Sequence, residues 1–203
     1  IRSQADADAL CEAQLGIEVA ALTVTGSASI GCLCGIDGGL TAMGADLQVP
    51  RLAFAGDVTL EGGSLDAPAL EGVGALRVSG EVSALTLPSL DRIRGELQLV
   101  ELSALTGVSF DALTEVGGAW TVARSQTLVR VHLPRLKSVG GDFTHEDLPA
   151  LRELSGTRAL EGIGGSLVLR RTRLEVLDDW SFLILGRLGG DLVVEDNNEL
   201  LAI

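Results

Sequence analysis

Few residues in this chain have a type and setting that chemistry needs. His145 is the first. Imidazole is the side chain that changes charge near neutral pH, and it serves as proton shuttle, pH switch or metal ligand. It stands in Phe143-Thr144-His145, where other copies of the same phrase place Leu60, Val78, Leu99, Val122, Leu169 and Val194. The alternation puts it on an apolar face. The expectation is a hydrogen-bonded core histidine, or a strand that ends early at that point, ahead of a functional group. The cysteines are three, Cys11, Cys32 and Cys34. An odd number leaves one over from any disulfide framework. Either three buried thiols or one bridge, from Cys11 to Cys32 or to Cys34, is compatible with the spacing. The Cys-x-Cys pair lacks the further Cys or His that would complete a four-ligand zinc site, so no metal and no cofactor is expected.

Charge is the second source of chemistry. The chain has 203 residues and a formal net charge of −13. That balance argues against nucleic acid, because phosphate contacts need clustered Lys and Arg, and it disfavours an anionic membrane surface. Residues 1–90 hold 3 basic and 11 acidic side chains, while 91–203 hold 12 and 17. Arg152, Arg158, Arg170, Arg171, Arg173 and Arg187 gather in the second part. A scattered solvated surface is the first expectation for them. Arg152, Arg170, Arg171 and Arg173 are nevertheless the candidate partner patch, suited to an anionic partner or the acidic end of another copy. Acids recur just after the repeat glycines, at Asp57, Glu96, Asp142 and Asp191, but Ala75, Ala119 and Ser166 interrupt them, which fits a solvated turn. Catalysis on a polysaccharide needs carboxylates, or a carboxylate with Arg or Lys, converging on one groove. No catalytic residue is assigned and the protein is expected not to be an enzyme. Glu195-Asp196-Asn197-Asn198 lacks the alternating ligand spacing of a calcium loop. No nucleotide loop, zinc motif or nucleophile elbow appears.

The elements that position these residues come from an internal period. A phrase L-x-x-Φ-G-G-x-Φ-x-Φ (Φ apolar) runs Leu113 to Val122, Leu136 to Phe143, Leu160 to Leu169 and Leu185 to Val194, with looser copies at Leu70–Val78 and Leu90–Leu99. Counting by the glycine that opens each strand (Gly26, Gly56, Gly74, Gly95, Gly118, Gly141, Gly165, Gly190), the steps are 30, 18, 21, 23, 23, 24 and 25 residues. The long first step predicts an insertion over 32–39. Apolar and polar residues alternate within each copy, the signature of a strand with one face buried. A second strand is predicted at Leu47–Leu52, Leu65–Leu70, Leu85–Leu90, Val108–Leu113 and Val131–Leu136. Four of the five prolines share its end, where the missing N–H does no harm. The pattern is lost in the sixth and seventh coils, at Leu148–Leu151 and Leu177–Phe182.

A fixed period of this length with little aromatic content (3% Phe, Trp and Tyr) predicts an all-β protein: a right-handed parallel β-helix or solenoid of about eight coils, one domain over 1–203, its core filled by stacked Leu, Val, Ile and Ala. Trp120 and Phe143 are expected to stack in adjacent coils. Residues 1–15 supply a capping helix, from about Ser3 to Ala13, and 16–203 supply the coils. The longest uncharged stretch, Val19 to Ile36, alternates strand and turn residues and does not suit a membrane span. The chain opens at Ile1 without a signal-like segment, as a mature or excised piece would. It stops part-way through a coil, so it is expected to be truncated or continued.

The run Φ-x-Φ-P-x-L-x-x-Φ-G-G-x-Φ-x-Φ, the segment Gly189-Gly190 through Asn197-Asn198-Glu199-Leu200, and the N-terminal helix with a nearby cysteine resemble the receptor L-domain family. These are the single-stranded right-handed β-helix domains of insulin- and EGF-receptor ectodomains, with relatives in fungal cell-wall and bacterial surface proteins. The resemblance implies a secreted or cell-surface module that binds or builds without catalysis, with an unidentified protein or glycan as partner. Its extracellular character favours the disulfide over three thiols. The cysteine-rich segments that flank receptor versions are missing, so hormone binding does not carry over. A structural envelope or filament subunit that self-associates end to end is the alternative.

Overall fold

A computed structural model describes residues 1–12, 16–175, 182 and 184–200. The alternating phrases form the strands Leu22–Val24, Leu40–Gln48, Val58–Asp66, Leu76–Thr86, Leu97–Val100, Trp120–Ala123, Phe143–Leu148, Leu167–Thr172 and Leu192–Glu195. They pair in chain order and in parallel, one per coil, with Ala28–Ser29 added beside Leu47–Gln48. A second sheet stacks two- to four-residue strands from Ile17–Val19 and Leu33–Ile36 through Phe54–Ala55, Gly72–Val73, Arg92–Ile93, Glu115–Val116, Ser138–Val139 and Gly162–Ile163 to Arg187–Leu188. A third, Gly107–Ser109, Arg130–His132 and Glu153–Ser155, closes the later, longer coils. The protein is a parallel β-solenoid of about eight turns with one short helix among the described residues. At about 4.8 Å per strand, eight steps make a stack roughly 38 Å long.

The glycine doublets are explained by how closely consecutive coils approach. A Cβ on Gly117, Gly140, Gly164 or Gly189 would lie 2.0–2.1 Å from the carbonyl oxygen of the residue one coil earlier. Only a residue without a side chain lets the chain turn there. Inside, the register builds columns. Leu76, Leu97, Trp120, Phe143 and Leu167 stand in line, each at most 4% exposed. Trp120 and Phe143 stack with ring centroids 5.7 Å apart and planes 16° off parallel. Aromatic pairs of this kind add about 0.5–1.5 kcal/mol beyond area burial.

The helix spans Gln4–Cys11. Ser3 caps it, its hydroxyl accepting from Asp6 N–H at 3.3 Å, while the Asp6 carboxylate accepts from Arg2 N–H at 2.7 Å. That backbone bond holds the Asp6 carboxyl below its usual range. The Gln4 amide completes the edge of the first coil as a strand would: it accepts from Ser29 N–H at 2.8 Å and donates to Ser29 C=O at 3.1 Å. An open edge would template pairing with another chain. Here Ala7 of the helix joins Leu22, Val24 and Ala28 in the buried core. The bridge is Cys11–Cys32, Cα atoms 5.4 Å apart, tying helix to first coil; Cys34 is a free thiol. Residues 13–15 of the expected cap lie outside the described residues.

Three expectations need correction. There is no insertion over 32–39: Leu33–Ile36 is a strand of the second sheet, and Gly38-Gly39 opens the coil that begins at Leu40. Counting from Gly26 hid it, because Gly26 precedes Ala28–Ser29, which pairs with the end of the next coil's strand. The sixth coil keeps its second strand, as Glu153–Ser155 in register with Arg130–His132. One extra residue follows it, absorbed by Gly156 at φ 83° and the 3₁₀ turn Thr157–Ala159. His145 neither ends its strand nor finds a hydrogen bond: it pairs in register with Val122 and Leu169 and is fully buried. Most of the seventh coil's lost pattern, Leu177 through Ser181, falls outside the described residues.

Candidate functional site

One corner of the coils, glycine in the early turns, gathers charged side chains in the later ones. In the early coils the chain turns there through Gly44, Gly62 and Gly80, all at positive φ. In the later coils Glu101, Arg124, Asp147, Arg171 and Asp196 take that place at φ 50–56°. Left-handed backbone costs a side-chain-bearing residue about 1–2 kcal/mol. These residues alternate in charge from coil to coil. Arg124 Nε meets Glu101 at 3.0 Å, and Arg171 bridges Asp147 and Glu146. The residue before the corner repeats the theme: Arg170 lies 3.3 Å from Glu146 and 3.0 Å from Glu195. The Arg170 Nε–H is buried and not aligned on Glu195, so that contact is Coulombic and not a hydrogen bond. The Arg171 hydrogen bond holds the Asp147 carboxyl below its ordinary range, and Asp147 in turn raises Arg171. A hollow of about 470 Å³ opens beside this corner, bordered by Pro149, Arg171, Arg173, Asp196 and Glu199.

Of the four arginines picked out from the sequence, Arg170, Arg171 and Arg173 lie at or beside this corner, and all four have a carboxylate within reach. Arg152 stands 4.0 Å from Glu175 and Arg173 4.0 Å from Glu199. The face is a mixed-charge ladder, not a block of positive charge. At its C-terminal end Asn197 turns inward: its Oδ1 accepts from Thr172 N–H and Oγ–H at 2.9 and 2.7 Å, and its Nδ2 donates to Leu169 C=O at 2.8 Å. That fits the Asn-bearing turn expected there. The post-glycine acids also serve the stack. Asp57 and Glu96 flank Arg77 at 3.4 and 2.8 Å, which raises the guanidinium pKa, Glu96 contributing most. Asp142 accepts from Ser166 N–H at 2.7 Å.

His145 stands apart from the ladder, inside the core. Its ring lies 4.9 Å from Phe143 and 6.3 Å from Trp120. Neither nitrogen has a hydrogen-bond partner. Burial lowers its pKa to about 3, so the ring is neutral near pH 7. Trp120 Nε1 and Thr157 Oγ1 are likewise buried without partners.

The sequence reading passed over His132. Its Nδ1 is 2.9 Å from Ser155 Oγ, and Ser155 donates to Glu153 at 2.9 Å. Glu153 also pairs with Arg130 at 2.7 Å, and that hydrogen bond, followed by Ser155's, lowers its pKa. An activated serine gives its proton to an imidazole that a carboxylate orients from the far side. Here the carboxylate lies on the serine's side, accepting from its hydroxyl, and not on the imidazole. The arrangement fixes surface side chains in place. The one-coil spacing of Val131-His132-Leu133 and Leu154-Ser155-Gly156 was the available signal. Among the described residues no group of three or more His, Cys, Asp or Glu is placed to hold a metal ion, and no helix is long and apolar enough to cross a membrane.

No family model matches the chain, and no solved structure matches it. Over an alignment of 87 positions that takes in 39% of this chain, the protein is 28% identical to Sporulation-specific protein 2 of Saccharomyces cerevisiae, covering 17% of that protein. The chain therefore matches less than a fifth of that relative's length.

Proposed function

We propose that this solenoid is a non-enzymatic binding or adhesion module that works outside the cell or on its surface, presenting a rigid face to a protein or glycan. The observation that carries this reading is the set of outward side chains locked between coils: Asp57–Arg77–Glu96, Glu146–Arg170–Glu195 and Arg130–Glu153–Ser155–His132. Exposed ion pairs stabilise little, about 0–1 kcal/mol each. Side chains already held in place lose little freedom when a partner docks, and that is how preorganisation raises affinity. The Cys11–Cys32 bridge supports an oxidising compartment, where disulfides persist. The receptor L-domain resemblance points the same way. The test is saturable binding of the labelled 203-residue chain to the surface of the cells that produce it, displaced by excess unlabelled chain. Binding that rises linearly with concentration and resists competition would overturn the reading.

A further inference from the structure

Phe54 is the large aromatic side chain left open to solvent among the described residues, at 39% exposure, while Phe110, Trp120 and Phe143 are fully buried. It projects outward from the second sheet, with Gly35 one coil before it and Gly72 one coil after. Both neighbours matter. A Cβ on Gly35 would lie 2.3 Å from the tip of the Phe54 ring, so the ring rests on bare backbone there. On the other side, Gly72 leaves a gap before Arg92, its partner in the next coil. The result is a trough of about 310 Å³ bordered by Phe54, Glu71, Gly72, Asp91, Arg92 and Arg94. That volume is at the lower end of the roughly 300–1,000 Å³ typical of small-ligand sites.

The polar groups around the ring are two carboxylates and two guanidiniums. Arg92 is steadied by Glu115 at 3.2 Å, and the Asp91 carboxylate by Thr114 Oγ–H at 2.8 Å. Backbone bonds from Asp91 N–H to Glu71 C=O and from Glu71 N–H to Ala53 C=O stack the two acids one coil apart. The site is neutral in sum, which suits neither a strongly anionic nor a strongly cationic ligand. It offers planar acceptors and planar donors around one aromatic face. A pyranose ring needs that combination: hydroxyls that both donate and accept at its rim, and a face of weakly positive C–H groups that packs on the negative face of an aromatic ring.

We propose that the Phe54 trough binds one residue of a neutral oligosaccharide. Phe54 is the stacking platform, and Glu71, Asp91, Arg92 and Arg94 are the hydroxyl partners. This rests on the binding-module reading above and names the ligand class at one place on its surface.

The test titrates the full chain, by isothermal calorimetry and saturation-transfer NMR, with cellohexaose, laminarihexaose, mannohexaose and fully N-acetylated chitohexaose. At least one is expected to bind saturably in the micromolar to millimolar range. Phe54→Ala is expected to weaken that binding by about tenfold or more, the loss of a central aromatic contact. Gly72→Leu is chosen to fill the trough, because a Cβ there meets nothing closer than 3.8 Å. It is expected to abolish binding with an unchanged circular dichroism spectrum and melting temperature, and it decides the matter if Phe54→Ala is unstable. No binding by any of the four sugars at about ten millimolar, well above the weakest affinity expected, would overturn the proposal. So would binding that survives Gly72→Leu. If the chain still adheres saturably to cells while no sugar binds, the module reading stands and this inference alone falls.

Discussion

Replacing His145 by leucine should stabilise the protein, and more so in acid. The imidazole is fully buried and neither nitrogen has a partner. An unmet buried polar group costs about 1–3 kcal/mol. Leucine is what the chain itself places at the same column position one coil on, at Leu169. His145→Leu should therefore raise unfolding free energy by about 1–3 kcal/mol at pH 7.5. The pH dependence has a definite sign. The folded pKa, about 3, lies below the ordinary 6.5. The neutral buried ring is fully compatible with folding above pH 6.5. Stability falls as pH drops toward 3, because the unfolded chain binds a proton that the folded one refuses. At about 1.36 kcal/mol per pH unit, the loss from pH 7.5 to pH 5 is roughly 2 kcal/mol. The leucine variant lacks this loss. Urea titrations of both proteins at the two pH values read it as a stability gap that widens by about that amount. A variant less stable at pH 7.5, with the same gap at pH 5, would refute the account of this column.

Reduction of Cys11–Cys32, or Cys11→Ser, should lower stability by about 3 kcal/mol, as the chain-entropy estimate gives for a loop of this size. The two cysteines are 21 residues apart, and a melt with and without reductant checks it. Gly140→Ala should destabilise by about 1–3 kcal/mol, as overpacking does, because its Cβ would fall 2.0 Å from Gly117 C=O. Gly162→Ala, with nothing nearer than 3.8 Å, should be close to neutral, and paired urea midpoints compare them. Phe143→Ala removes a ring that packs on Trp120 and His145 and should cost about 3–5 kcal/mol, with a shift in Trp120 fluorescence.

The solenoid was legible because one physical constraint writes the same letters in every coil. Close approach of turns demands glycine, and the buried face of each strand demands an apolar residue at every second place. The first coil was misread for the same reason. Gly26 has the right letter for a different cause, since a Cβ there would strike Arg2 C=O at 1.8 Å, whereas the Gly38-Gly39 doublet sits in a shortened phrase. The surface was much less legible. Arg170 and Arg171 could be picked out by type, but their neighbours in space, Glu146 and Asp147, lie 24 residues away in sequence, one coil earlier. Nothing in the sequence pattern singles out Phe54, because its exposure depends on Gly35 and Gly72, which lie one coil away on either side. His145 was recognised as anomalous, yet its lack of any hydrogen bond depends on which atoms surround it, and alternation alone carries no such information.

Every reading of the surface assumes that consecutive coils stack in register, since the charge ladder, the His132–Ser155 contact and the Phe54 trough each join residues one coil apart. Nuclear Overhauser contacts of the Trp120 indole test that stacking most directly. The fold predicts cross-peaks from its ring protons to the ring of Phe143 on one side and to the methyls of Leu97 on the other. A Trp120 ring with neither set of contacts, or one exposed to a soluble paramagnetic probe, would contradict it.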